Sequence, residues 1–210
     1  MKRIFLHGLG QTYTSWDKVL CILDDNEKSL CVDLADLIKD RNVTYDNMYR
    51  AFSEVCDKQS EQIDLCGLSL GGVLALNYAI DNPKKVRTLV LIATQYKMPG
   101  MLLKLQNLIF RFMPDSKFVE SDFQKNVYIK LCGSMAKLDF SKSIRNIYCP
   151  VLVVYGEKDI ANKKASVEMA KRLKRGMLKE IKGSGHEVNI DAPEALGELL
   201  DAFYKRLGSC

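Results

Sequence analysis

Apolar and polar positions follow two rhythms along this chain, and the rhythms take turns. Short, mostly apolar runs of strand length stand at Ile4-Phe5-Leu6, Ser29-Leu30-Cys31-Val32, Gln62-Ile63-Asp64-Leu65-Cys66, Arg87 to Ala93, Val151 to Tyr155 and Leu178-Lys179-Glu180-Ile181. Between them, apolar residues recur at spacings of three and four, as one face of a helix requires. Trp16, Val19, Leu20 and Leu23 follow a cap at Thr14 or Ser15, and Met48, Tyr49, Phe52, Val55 and Cys56 follow Tyr45. A helix from Val73 is closed by Asn82-Pro83, another runs from about Ala161 to Arg175, and a terminal one carries Leu196, Leu199, Leu200, Phe203, Tyr204 and Leu207. Asp191 and Pro193 supply that last helix with a cap and a first-turn proline. Strands alternating with helices predict an α/β fold: an open, mostly parallel sheet of about six strands with helices on both faces.

The alternation breaks between Gln95 and Ser143. Met101 to Met113, stopped by Pro114, is apolar on nearly all sides, relieved only by Lys104, Gln106, Asn107 and Arg111, and a second helical run lies near Phe118 to Leu131. A surface helix does not look like the first of these. Three readings stay open: a buried helix, an insertion that covers a pocket and lends its apolar face to a substrate, or a helix that docks on a membrane surface. The expected organisation is one domain over 1–210 with this insertion at 95–143.

Composition agrees with one domain: 210 residues, 47% of them hydrophobic, supply a core without linker or repeat. A strand begins almost at Met1, with no apolar leader before it, and no apolar stretch approaches the roughly 20 residues of a membrane span. A cytoplasmic protein without an integral membrane segment is expected. Seven cysteines, scattered without a C-x-x-C pair and mostly inside apolar runs, fit reduced core residues, with Cys210 an exposed tail thiol. The net charge of +5 is densest from Lys163 to Lys182. Those lysines fit a solvated helix face, with Lys174 and Arg175 at its C-terminal end, and no aromatic residues interleave with them, so no nucleic-acid partner is expected. The only two histidines, His7 and His186, exclude a multi-histidine metal site.

The chemistry is concentrated at Gly67-Leu68-Ser69-Leu70-Gly71-Gly72, between a strand and a helix. A serine on so sharp a turn needs neighbours without bulk two positions before and after it, which Gly67 and Gly71 provide, while Gly72 lets the helix pack closely. A serine hydroxyl needs a base, and the base needs a third group to hold its tautomer. Asp159, after the Val151 to Tyr155 strand, and His186, after the last strand, stand at strand ends that a parallel sheet brings to one edge. Their order along the chain, Ser69, Asp159, His186, is the one this turn architecture demands. Glu157 competes with Asp159, which is preferred because it lies further into the loop. The backbone N–H groups of Leu70 and Leu9 are the expected oxyanion donors. His7, ahead of the turn in His7-Gly8-Leu9-Gly10, is expected to brace that loop.

Together His7-Gly8, the Gly67 to Gly72 segment, Gly156-Glu157-Lys158-Asp159 and Gly183-Ser184-Gly185-His186 resemble the α/β-hydrolase superfamily, in its compact form with a helical lid. The resemblance covers nearly the whole chain. It implies that 95–143 is the lid, that no cofactor is needed, and that acyl-ester hydrolysis is the leading activity. Two features depart from it. The chain begins at the strand that is usually third, and the common Asp-x-x-Gly-x-Gly loop stands here as Asp33-Leu34-Ala35-Asp36. The expected substrate is a small molecule, a carboxylic ester or thioester with an apolar acyl group. Phe110 and Phe112 of the apolar helix would line its pocket, with Arg111 beside them. The competing functions are carbon–carbon bond hydrolysis or lysis by the same triad, for which Arg111 would hold a substrate carboxylate, and a non-catalytic binding protein. The oligomeric state stays open.

Overall fold

The computed structural model describes residues 1–98, 100 and 125–208. Six strands form one parallel sheet: β1 (Lys2–Leu6), β2 (Ser29–Val32), β3 (Ile63–Leu68), β4 (Val86–Ile92), β5 (Val151–Gly156) and β6 (Gly176–Ile181). Each lies within two residues of its predicted run. Their order across the sheet is β2-β1-β3-β4-β5-β6. The chain builds outward from β1 in one direction to β2, then crosses back to β3 on the other side, so the order reverses between β1 and β3. Helices that leave adjacent strands on opposite sides open a crevice at the strands' C-terminal ends, where open α/β sheets bind ligands.

Because successive strand residues point to opposite faces, the apolar runs fill two cores at once. On one face Leu6, Leu65, Leu91 and Val153 pack with Met48 and Phe52 of α2 (Tyr45–Asp57) and Leu74 and Tyr78 of α3 (Leu70–Asp81). On the other, Phe5, Leu68, Ile92 and Val154 pack with Trp16 and with Leu196, Leu200 and Phe203 of the terminal helix. Thr44 caps α2, its hydroxyl accepting from Asn47 N at 3.2 Å. In α3 nine of the first ten residues are buried, which fits a helix apolar all round.

Three elements differ from the sequence expectation. The amphipathic segment around Trp16 is not one helix but a 3₁₀ turn, Tyr13–Trp16, followed by a single α turn, α1 (Asp17–Leu20). Neither Thr14 nor Ser15 caps it. The 3₁₀ turn tightens the chain enough to set Trp16 on Phe5, ring centroids 5.2 Å apart, and a spacing of three suits either helix type. Of the second run in the insertion, the described part is α4 (Lys125–Met135). Helix α5 (Ile160–Arg172) starts one residue early and ends before Leu173. Finally, one turn, α6 (Val188–Asp191), precedes the terminal helix, α7 (Pro193–Gly208), and Asp191 turns back to a loop instead of capping α7.

Asp64 is the one acidic residue inside the buried run of β3, and it is only 1% exposed. Arg87 Nε donates to it at 2.9 Å and the Thr88 hydroxyl at 2.7 Å, which compensates the buried charge at the end of the sheet away from the crevice. The six described cysteines are all free thiols. Among the described residues no helix is long and apolar enough to cross a membrane.

Removing the carboxylate leaves the Arg87 guanidinium and the Thr88 hydroxyl without their partner. Asp64→Ala is therefore expected to lower the unfolding free energy by about 2–4 kcal/mol. Urea unfolding reads this as a lower midpoint at unchanged slope. A midpoint equal to wild type would show that the pair adds nothing to stability.

Candidate active site

The site starts at Ser69, the residue between β3 and α3. Its backbone lies at φ 52°, ψ −114°, a conformation that costs a non-glycine residue free energy. Flanking bonds hold it there: Ser69 N donates to Ile92 O at 2.8 Å, and Val73 N donates to Ser69 O at 3.0 Å. The turn closes because two glycines let backbone meet backbone. A Cβ on Gly67 would stand 2.4 Å from the Gly71 carbonyl, and one on Gly71 would stand 2.4 Å from Leu6 O and 2.6 Å from His7 O. The first turn of α3 is thereby pressed onto the end of β1.

The β1 loop lies against the serine from the other side: a Cβ on Gly8 would be 3.6 Å from Ser69 Cβ. Leu9 and Leu70 border the same cavity as Ser69, and among the described residues no hydrogen bond uses either backbone N–H. These are the two donors the sequence singled out. His7 is fully buried; its Nε2 accepts from Leu34 N at 3.0 Å, which leaves the proton on Nδ1, donated to Gly8 O at 2.9 Å. It braces the loop, as its place in the sequence suggested.

His186 reaches the serine from the loop after β6. Its Nε2 is 3.0 Å from Ser69 Oγ and its Nδ1 is 3.0 Å from Asp159 Oδ2. An acceptor-only carboxylate fixes the proton on Nδ1 and leaves Nε2 free to accept from the serine hydroxyl. Asp159 caps α5 and is 6% exposed. Burial by itself pushes its carboxyl up, but hydrogen bonds from His186 and Asn162 outweigh this and hold it below the ordinary value. Glu157, the competing acid, accepts instead from Gly183 N at 2.8 Å and so pins the loop that carries His186. Asp191 pins it a second time, accepting from Gly185 N at 2.7 Å.

Three amide side chains near this constellation carried no sequence signal. Asn162, on the first turn of α5, donates through Nδ2 to both oxygens of Asp159, at 2.9 Å each. Gln11 and Asn189, both buried, exchange side-chain hydrogen bonds at 3.1 and 3.2 Å. Gln11 Oε1 also accepts from Gly8 N at 3.2 Å, so the pair ties the Leu9 loop to the helical turn after His186. Glycine turns announce themselves by spacing; a pair 178 positions apart does not.

In front of Ser69 opens a cavity of about 750 Å³. Its described wall is mainly apolar, with Leu9, Val73, Met98, Tyr128, Cys132 and Met135, while Gln95, Lys97, Lys164 and Glu168 bring polar groups. Tyr128, Cys132 and Met135 come from α4, so the described part of the insertion borders the cavity. Phe110, Arg111 and Phe112, the residues expected to contact substrate, lie outside the described residues. Among the described residues no three His, Cys, Asp or Glu side chains are grouped to hold a metal ion.

Comparison with known proteins bears on the family and the fold. The family model described as "Alpha/beta hydrolase family" matches residues 4–199. A pimeloyl-[acyl-carrier protein] methyl ester esterase of Wigglesworthia glossinidia brevipalpis is 24% identical, across 97% of this chain and 93% of that protein. A 3-oxoadipate enol-lactonase of Acinetobacter baylyi is 21% identical, across 97% and 88%. Among solved structures, MenH from S. aureus superposes with a TM-score of 0.82 at 17% identity, covering 99% of this chain and 94% of that one.

The packing at the turn generates a stability contrast. Gly71→Ala drives a methyl group into the carbonyl oxygens of Leu6 and His7, which have no room to retreat, and is expected to cost about 3 kcal/mol or more. Gly183→Ala meets nothing within 4 Å and carries only the strain of φ 74°, about 1 kcal/mol. Thermal or urea unfolding of the two variants checks the ranking; equal losses would mean that close approach at Gly71 is not what the turn requires.

Proposed function

The chain belongs to the alpha/beta hydrolase family, and on that premise we propose that it is a serine esterase or thioesterase acting on substrates with an apolar acyl group. The observation that carries this reading is the Asp159–His186–Ser69 chain, with both links at 3.0 Å. Ser69 Oγ attacks the substrate carbonyl as its proton passes to His186 Nε2, and Asp159 stabilises the imidazolium that forms. The Leu9 and Leu70 N–H groups take the oxyanion, the second aided by the positive end of α3. Collapse of the tetrahedral intermediate returns the proton to the leaving alcohol or thiol. Water, activated by the same histidine, then releases the acid from the acyl-enzyme. Apart from the substrate and that water, every donor and acceptor in this sequence is a group of the chain itself.

The cavity supports the acyl preference, since its described wall beside Ser69 is mainly apolar and part of it belongs to the 95–143 insertion. In this reading the insertion is a lid, and Phe110, Arg111 and Phe112 belong to it. Relatives named as an ester esterase and an enol-lactonase support carbonyl–oxygen bond cleavage over the carbon–carbon alternative.

Ser69→Ala is expected to fold and to lose about 10⁴ or more in kcat, with no labelling by a fluorophosphonate probe. Asp159→Asn should lose about 10⁴, because its amide turns the His186 proton to the wrong nitrogen, and Glu157→Gln should lose less. A Ser69→Ala enzyme within about tenfold of wild type removes the nucleophile assignment, and a larger loss in Glu157→Gln than in Asp159→Asn reassigns the acid.

An apolar pocket rewards each added methylene by about 0.8 kcal/mol, close to a fourfold gain in kcat/KM, until it is full. Rates on p-nitrophenyl esters should therefore climb from acetate towards octanoate, and Met135→Ser should flatten the climb. A flat or falling profile in the wild type removes the apolar acyl pocket and favours the same triad acting on small polar substrates, including those of carbon–carbon cleavage.

A further inference from the structure

We infer that Asn162 is a positioning residue for the triad acid, an inference that rests on the serine-hydrolase reading above. Among the described residues, every hydrogen bond to the Asp159 carboxylate comes from either Asn162 or His186. Oδ1 accepts from Asn162 N at 3.2 Å and from its Nδ2 at 2.9 Å, while Oδ2 accepts from Asn162 Nδ2 at 2.9 Å and from His186 Nδ1 at 3.0 Å. The side-chain amide is 8% exposed and straddles both oxygens, so the carboxylate cannot rotate about its terminal bond without losing a donor. That rotation is the motion that would carry Oδ2 away from the imidazole.

The orientation of the amide is itself fixed. Gln95 Nε2 donates to Asn162 Oδ1 at 2.8 Å and to Ala161 O at 3.3 Å. A donor facing Oδ1 forces Nδ2 towards Asp159, since the flipped amide would set an N–H against the Gln95 N–H and a carbonyl against the carboxylate. Asn162 Nδ2 also stands 3.1 Å from His186 Nδ1. With the Nδ1 proton committed to Asp159 both are donors, so the two groups converge on one oxygen instead of bonding each other. Asn162 thus shares the charge that Asp159 offers to the imidazole. Gln95 sits just after β4 where the insertion begins, and it borders the cavity, so the brace runs from the substrate space to the base.

Positioning and charge sharing predict different things from mere support of the fold. Of the charged groups near Asp159, His186 bonds it, Glu157 is committed to Gly183 N, Lys163 is paired with Glu180 at 3.1 Å, and Lys164 and Glu168 border the cavity beside Asn162. In Asn162→Leu, which branches at the same atom but is bulkier, the carboxylate loses its side-chain donor. Loss of a hydrogen bond to a charged group is expected to lower kcat by about 10- to 100-fold while KM stays within about threefold. The acid limb of the kcat/KM profile moves to higher pH, because the whole of the carboxylate charge now stabilises the imidazolium. In Asn162→Asp a second carboxylate stands where the amide was, and two such groups share one proton. The shared proton restores a donor at acid pH and is lost as pH rises, so activity relative to wild type falls from acid to alkaline pH.

The experiment is the pH dependence of p-nitrophenyl ester hydrolysis by wild type, both Asn162 variants and Ser69→Ala, with folding monitored by thermal unfolding. The expected result is the kcat loss at nearly constant KM, the upward shift of the acid limb in Asn162→Leu, and the falling relative activity of Asn162→Asp. If the Leu variant does not fold, the isosteric Asp variant carries the test alone. Variants within about twofold of wild type in kcat with an unmoved profile overturn the positioning role, as does a pH-independent loss that tracks lowered thermal stability. A Ser69→Ala enzyme that stays active sinks the hydrolase reading instead, so the two failures are distinct.

Discussion

The structure turns on a contact between backbones. At Gly67 and Gly71 the end of β3, the start of α3 and the end of β1 approach to distances that leave no space for a Cβ. Without that approach Ser69 could not stand at φ 52° with its flanking amide and carbonyl still bonded, since the strained residue is held only by what surrounds it. The same approach sets the Leu9 loop beside the serine, and it places the first N–H groups of α3 at the crevice. One steric condition therefore positions the proposed nucleophile and both candidate oxyanion donors. The rest of the sheet has only to bring an acid and a base to the same edge.

The loops that do so are tied to each other more than to the sheet. Lys158 N donates to Ser184 O at 2.9 Å and Glu157 accepts from Gly183 N, so the loops after β5 and β6 are held in register beyond the end of their strands. Gln11 and Asn189 connect the β1 loop to the turn after His186. A buried polar network with its members satisfied stiffens what it connects, and here it adds to the apolar packing of Trp16 and Val188 between the same segments. Precision at the crevice comes from these polar ties, while the two apolar cores set stability and overall placement.

Much of this was legible in the chain and some was not, for physical reasons. The four central strands, β1, β3, β4 and β5, were legible because runs buried on both faces have no other use for so many consecutive apolar residues. The turn at Ser69 was legible because close backbone approach leaves a mark two residues on either side. Asp159 and His186 could be placed at one edge because parallel strands end together, a consequence of topology and not of local pattern. The 3₁₀ turn before α1 was hidden, since Trp16 and Val19, three apart, fit either helix type. Asp191 misled because an acid two residues before a helix proline looks like a cap, whereas its partner, Gly185 N, is set by tertiary structure. Asn162 and the Gln11–Asn189 pair left no trace, as a buried amide has no periodicity and its partners are distant or unremarkable in sequence.

The span of the amide tie has a consequence for how the protein comes into being. Residues leave the ribosome from the N-terminus, so β1 to β4 and the Ser69 turn are available for pairing while the segments holding Asp159, His186 and Asn189 are still unmade. During that interval the serine has no base and the Leu9 loop lacks the amide that anchors it. On the proposed mechanism the nascent chain is consequently inert towards any acyl compound around it. Reactivity arrives late, when the last strand and its loop bring the proposed acid and base to the crevice.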